Sequence, residues 1–154
     1  PDVYELLKEE KRSNMDVTSF RGDYDFLSNF YEAGIDYNGI HYLNNEAAFQ
    51  AQKCLTDEEK WEFAYLSAAK AKRKGRQVSL RADWEQVKIG IMEEIVRCKF
   101  TQNPHLADRL LKTGSRKLVE GNTWHDTCWG VDASTGEGEN HLGEILMKIR
   151  EELK

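Results

Sequence analysis

The sequence contains no apolar run approaching the roughly 18–20 residues of a membrane-spanning helix, so no transmembrane segment is expected. Cysteine is scarce. Cys54, Cys98 and Cys128 form an odd, scattered set, which argues against a disulfide framework and suits a reducing compartment. The opening stretch PDVYELLKEEKR has no apolar signal core, so a cytoplasmic location is expected. There is no Walker phosphate loop, dinucleotide glycine fingerprint, nucleophile elbow or Cys-x-x-Cys pair, which removes the chemistry those motifs carry. The four histidines, His41, His105, His125 and His141, stand far apart. His125 and Cys128 lack the two further ligands that a metal site needs, so neither metal nor cofactor is expected. Repeats and linkers are absent as well.

What is present fits one domain. The chain has 154 residues, 40% hydrophobic and 32% charged, a length that buries about two thirds of its unfolded surface without covalent staples. A net charge of −5 excludes a uniformly basic nucleic-acid binder. The charge is uneven, however. Lys70, Lys72, Arg73, Lys74, Arg76 and Arg81 fall in a segment with no acidic residue. That segment is +6, which leaves −11 on the rest. It is either a solvated helix end complementing the dipole or a local phosphate site.

Patterning predicts a helix-rich α+β fold with a small β element. Val3–Arg12 forms a charged helix with Tyr4, Leu7 and Leu6 inward, and 20–31 is extended chain or loop. Ile35 to Tyr42 contains two alternating runs around Asn38-Gly39, a strong hairpin signal because both turn residues need φ > 0. Asn44 or Asn45 caps a helix to about Cys54, Thr56 with Glu59 opens another through Tyr65, and Ser67 caps a basic one ending at Gly75. Asp83 caps the longest helix, with Trp84, Val87, Ile91, Ile95 and Cys98 at helical spacing. Pro104 starts the next, ended by Gly114. Leu118–Glu120 and Cys128–Val131 are short strands and Ser134–Gly138 a loop. Asn140 caps a last helix with Leu142, Ile145, Leu146 and Ile149 inward.

Within this frame, Glu46, Gln50 and Lys53 stand at i, i+4 and i+7 and share one helix face. Such a stripe is either a wet surface or the wall of a pocket, and the flanking Ala47, Ala48, Ala51 and Phe49 favour close packing. A partly buried lysine loses ammonium stability and becomes an amine nucleophile for carbonyls and imines. A carboxylate nearby moves protons or binds sugar hydroxyls. Together they suit an anomeric carbon that carries nitrogen, and do not resemble the paired carboxylates of O-glycosidases. A second cluster is Trp124 to Gly130, in which Trp129 either is core or stacks on a base, beside Asp126 as acid–base or hydroxyl-binding group. Asn140-His141-Leu142-Gly143 opens the last helix, whose N–H groups are available to an anion.

These pieces resemble the NADAR family, also called YbiA-like. The resemblance runs through Leu27-Ser28-Asn29-Phe30-Tyr31, Asn38-Gly39, Glu46, Phe49-Gln50-Ala51-Gln52-Lys53 and Ala71-Lys72 with Gly75-Arg76. It continues through Leu80-Arg81-Ala82-Asp83-Trp84, Lys99 to Pro104, Leu110 to Gly114, Asp126 with Trp129-Gly130, and Asn140 with Leu142 to Met147. It covers about Phe20 to the C-terminus, so a single domain over 1–154 is expected, with the helix and linker of 1–19 outside the likeness. The resemblance implies cleavage of N-glycosidic bonds, either of ADP-ribose on guanine in nucleic acid or of phosphoribosylamino-pyrimidines of riboflavin synthesis. A non-catalytic ADP-ribose-binding module is the remaining alternative. It implies Glu46, Lys53 and Asp126 as catalytic residues. Asn29, Phe30, Gln50, Arg76, Trp84, Trp129, Gly130, Asn140 and Gly143 are the implied substrate-binding set. The implied partner is ADP-ribosylated nucleic acid or an ADP-ribose-containing nucleotide, with no membrane and no obligate protein partner. Two positions depart from the pattern: Ala47 stands where many relatives have His, and Cys128 where a larger aromatic is common.

Overall fold

The computed structural model describes residues 2–13 and 15–154. It is helix-rich, with short strands: α1 (Val3–Ser13), a 3-10 helix (Gly22–Leu27), β1 (Ile35–Tyr37), β2 (Ile40–Tyr42), α2 (Asn45–Ala51), α3 (Asp57–Trp61), α4 (Ala68–Gly75), α5 (Trp84–Gln102), α6 (Pro104–Lys112), β3 (Gly121–Asn122), β4 (Val131–Asp132) and α7 (His141–Glu152). The backbone forms two compact units, one of residues 26–106 and one of 1–25 with 107–154. No helix is long and apolar enough to cross a membrane among the described residues.

In the 26–106 unit, β1 and β2 pair antiparallel with Ile35 opposite Tyr42 and Tyr37 opposite Ile40. Asn38 (φ 49°) and Gly39 (φ 85°) make the turn, the left-handed pair that the Asn-Gly signal demands. Ile35, Tyr37, Ile40 and Tyr42 all point inward. The caps also form as expected: Asn44 Oδ1 accepts from the Ala47 N–H, Thr56 from Glu59 and Ser67 from Lys70.

Four expectations change here. The stretch expected to be extended or loop forms a 3-10 helix at its centre. α3 stops at Trp61 and turns replace it to Tyr65, leaving Trp61 and Tyr65 exposed. Along α5 the buried face is Trp84, Met92, Ile95, Val96, Lys99 and Phe100, whereas Val87, Ile91 and Cys98 are half-buried. Val87 and Ile91 flank a shallow cleft beside Tyr37 and Glu94, which turns that side of α5 towards solvent. Asp83 caps without a side-chain bond to the helix, because Arg81 holds its carboxylate through two N–H groups at 2.6 and 2.9 Å.

The second unit is built on α7, whose Leu142, Ile145, Leu146 and Ile149 are buried as their spacing requires. Gly114 (φ 66°) follows α6. The expected strands are shorter and shifted. Leu118 makes an isolated parallel bridge with Val17, and β3 pairs in parallel with β4 over two residues. The apolar face expected on α1 is uncovered, since Tyr4, Leu6 and Leu7 are exposed.

Candidate active site

α2 is buried along its whole length. Its N-terminus is tied to the preceding loop twice: the Glu46 N–H donates to the Asn29 carbonyl at 3.1 Å, and the Asn45 side chain donates to Asn29 Oδ1 at 3.1 Å. Asn29 also donates to Met92 Sδ at 3.4 Å. Its side chain therefore orients the helix rather than facing solvent, and only 8% of it is exposed. The loop itself hangs on Lys99, which is 1% exposed and donates from Nζ to the Ser28 carbonyl at 2.9 Å. A buried ammonium is costly unless it is hydrogen-bonded, and the Tyr31 and Phe100 rings also lie under it. Lys99 lies outside the expected site residues. Its signals are a lysine at a buried helical position, between Val96 and Phe100, and its place in the stretch that carries the family likeness.

One turn on, Gln50 donates from Nε2 to Glu46 Oε1 at 2.8 Å. Both residues are buried, at 7% and 8% exposure. Gln50 Oε1 has no hydrogen-bond partner, an unusual condition for a buried polar atom. Gly75 of α4 makes this arrangement possible, because a Cβ there would fall 2.0 Å from Gln50 Oε1.

Lys53 lies beyond the end of α2, which corrects the single helical face expected for Glu46, Gln50 and Lys53. The helix stops at Ala51, and the Lys53 N–H bonds to the Gln50 carbonyl at 3.2 Å, a tighter i→i−3 turn. The Lys53 carbonyl accepts from the Arg81 N–H at 3.0 Å, which fixes the turn against the segment leading into α5. The side chain is half-buried, with Nζ 5.9 Å from the Trp84 ring centroid. Trp84 is itself buried and tilted against Phe49 at 5.0 Å. Burial lowers the Lys53 pKa, and the nearby positive charges of Arg76 and Lys88 push the same way against the opposing pull of Glu46. The structure therefore brings together Glu46, Gln50, Lys53 and Trp84, with Arg76 close enough to act through its field. A carboxylate beside an amine of lowered basicity can serve addition to an electrophilic carbon.

Phe30, in the loop after Asn29, is 44% exposed and has Lys72 Nζ 5.7 Å from its ring centroid. An open ring with a cation on it is a stacking surface. The basic segment is partly neutralised, since Lys74 pairs with Glu62 at 3.1 Å and Arg81 with Asp83 at 2.6 Å.

The remaining expected residues lie in the other unit, where most are bound up in backbone. Asp126 Oδ1 accepts from the N–H groups of Cys128 and Trp129 at 2.9 and 3.0 Å. Asn122 brackets Asp126, donating to its carbonyl and accepting from its N–H. Trp129 is half-buried, with its ring edge-on to His141 at 6.3 Å. Gly130 is buried where a Cβ would meet the Glu120 carbonyl at 2.0 Å, so close chain packing accounts for it. Asn140 occupies the N-cap position but in the left-handed region, without a side-chain cap bond. Its side chain instead donates to the Leu118 carbonyl at 3.0 Å and accepts from the Glu120 N–H at 3.0 Å. A Cβ at Gly143 would meet the Leu118 carbonyl at 2.1 Å, so this glycine seats α7 on that segment. His125 turns its Nδ1 to Asp132 Oδ2, 2.7 Å away.

Residues 17–154 match the NADAR domain, a span that includes most of both units. The chain belongs to the NADAR family. It is 41% identical over 134 residues to N-glycosidase YbiA of Escherichia coli, covering 85% of this chain and 82% of that protein. It is 40% identical over 134 residues to a riboflavin biosynthesis protein of Vibrio vulnificus, of which it spans only 35%. The solved NMR structure of E. coli YbiA superposes with a TM-score of 0.79 at 36% identity, covering 91% of this chain and 86% of that one. The α+β, mainly helical NADAR fold expected above is thus the observed one.

Proposed function

We propose that this protein is an N-glycosidase that removes ADP-ribose from ADP-ribosylated guanine in nucleic acid. The observation that carries the reading is the half-buried Lys53, with its pKa lowered, beside the buried Glu46–Gln50 pair. An amine on an anomeric carbon can open to an imine, and an amine nucleophile with a proton carrier at hand completes the exchange. The names of the relatives support the bond type.

Glu46 gives a proton to the ribose ring oxygen while the C1–O bond breaks, and the guanine nitrogen lone pair forms C1=N. The neutral Lys53 amine adds to C1, and Glu46 takes the proton released by the new C1–N bond. Glu46 then protonates the guanine nitrogen. The C1–N bond to guanine breaks, restoring the guanine amine and leaving a C1=N Schiff base on Lys53. Water adds at C1, Lys53 departs as the amine and ADP-ribose is free. Phe30 offers ring surface to the nucleotide, the buried Trp84 backs Lys53, Gln50 presents its unpartnered Oε1 to a hydroxyl, and Arg76 faces a phosphate.

The riboflavin biosynthesis protein among the relatives supports a second reading, in which a phosphoribosylamino-pyrimidine is the substrate. Incubating an oligonucleotide ADP-ribosylated on guanine, alongside that pyrimidine, tests both. Released ADP-ribose and restored guanine are expected. Turnover of the pyrimidine alone replaces the first reading with the second, and tight ADP-ribose binding with neither turnover makes the protein a binding module.

A further inference from the structure

In the unit of residues 1–25 and 107–154, the Cys128 thiol, a Glu139 carboxylate oxygen and a His141 ring nitrogen lie within 4.8 Å of one another. The backbone holds the three together. The segments that carry them run side by side, with the Glu139 N–H bonded to the Thr127 carbonyl at 2.7 Å, Asn140 to Gly130 at 3.2 Å, His141 to Cys128 at 3.1 Å and Leu142 to Trp129 at 3.0 Å. Asp126 Oδ1 fixes the Cys128 and Trp129 N–H groups from the other side. His141 Nε2 already faces Glu139 Oε2 at 2.6 Å, so the imidazole and carboxylate share a focus. Cys128 and His141 are half-buried and Glu139 is exposed, which leaves the cluster open to solvent on one side.

We infer that Cys128, Glu139 and His141 form a binding site for a zinc-class divalent cation. Thiolate, imidazole and carboxylate together are the ligand types that zinc takes, at bond lengths of about 2.0–2.3 Å. Tetrahedral geometry at those lengths sets ligand atoms roughly 3.3–3.6 Å apart. The His141–Glu139 pair at 2.6 Å therefore opens by about 1 Å on binding, and the Cys128 thiol, within 4.8 Å of both, draws in beside it. Binding displaces the thiol proton and any proton held between His141 and Glu139, so affinity falls as pH falls. Three protein ligands leave a fourth position for water or an anionic oxygen. The site differs from the His125–Cys128 pair that spacing alone brings to mind, because His125 is turned to Asp132.

The test is to add Co2+ to the metal-stripped full chain and record the absorption spectrum. One equivalent is expected to bind, with intense visible bands of a tetrahedral ion and a near-ultraviolet sulfur-to-cobalt charge-transfer band. Zn2+ should displace the cobalt and bleach both. Cys128→Ala should lose the charge-transfer band, and Glu139→Gln and His141→Gln should each weaken binding at least tenfold, while His105→Gln leaves it unchanged. A wild-type spectrum without the charge-transfer band overturns the site and needs no variant. So does a band that persists in Cys128→Ala, since it would come from Cys54 or Cys98.

Discussion

The two units handle the polar residues that the sequence singles out in opposite ways. In the unit of 26–106, Gln50 donates to Glu46, Gln50 Oε1 lacks a hydrogen-bond partner, and Lys53 is held at lowered pKa. In the other unit, Asn140 gives both ends of its amide to the backbone at Leu118 and Glu120, and Asp126 gives one oxygen to two N–H groups. Gly130 and Gly143 are required by neighbouring carbonyls. Motif residues of equal prominence in sequence thus divide into a poised group and a bracing group. The open Gln50 oxygen and the lowered pKa of Lys53 mark the first, because a fold tolerates such costs mainly where function uses them.

The sharpest way to break this contrast is to substitute the poised group. Lys53→Ala and Glu46→Gln should each lower kcat on the glycosylamine substrate by on the order of 10²–10⁴-fold, with melting temperature little changed; a wild-type kcat in either contradicts the assignment. The pH dependence sharpens it further. The attacking amine must be neutral while Glu46 carries the proton of the opening step, so the rate should pass through a maximum, falling at acid pH where Lys53 holds its proton and at alkaline pH where Glu46 has lost its own; a rate that falls on neither side counts against this pair. Trp84→Ala should cost about 3–5 kcal/mol of stability, measured by denaturant unfolding, because the ring packs on Phe49 as well as under Lys53.

On the bracing side, Asn140→Ala should cost about 1–3 kcal/mol by leaving buried backbone groups unsatisfied. The loss belongs to stability, so any fall in activity should track the unfolded fraction. Gly75→Ala crosses the two categories. Its Cβ would collide with the movable end of Gln50, so about 1–3 kcal/mol is lost and kcat falls by more than stability explains. The smallest effect is at Asp132. The Ser134 hydroxyl, then His125, lower its pKa from 3.8 to about 2. A carboxylate depressed in this way adds stability that is full above its unfolded pKa and is lost as pH falls through the folded one. Unfolding followed from pH 4 down to 2 should show that loss in the wild type and a shallower slope in Asp132→Asn.

How far the sequence discloses this depends on the range of the interactions. The Asn38-Gly39 turn, the caps at Asn44, Thr56 and Ser67, and the stop at Gly75 are legible because a few neighbouring residues settle them. The 3-10 helix at 22–27 is not, because its aromatic residues follow no period and are placed by burial of Phe26 and Leu27. The buried face of α5 is misjudged because an apolar residue beside a cleft looks the same in sequence as one in the core. Glu46 and Lys53 are legible as a pair, yet the turn that replaces the last helical residues before Lys53 is not. The bracing roles of Asn140 and Gly143 depend on Leu118, more than twenty residues away, and no local pattern announces that contact. The gathering of Cys128, Glu139 and His141 is hidden for the same reason, since backbone pairing of distant segments creates it.

Trapping tests Lys53 as the nucleophile most directly. The wild-type protein is mixed with an oligonucleotide carrying ADP-ribosylated guanine, reduced with borohydride and digested for mass spectrometry. A reduced ADP-ribosyl adduct on Lys53 is expected, formed only when substrate is present and absent in Lys53→Ala. Full turnover with no adduct on Lys53, or an adduct that survives in Lys53→Ala at another lysine, contradicts that role.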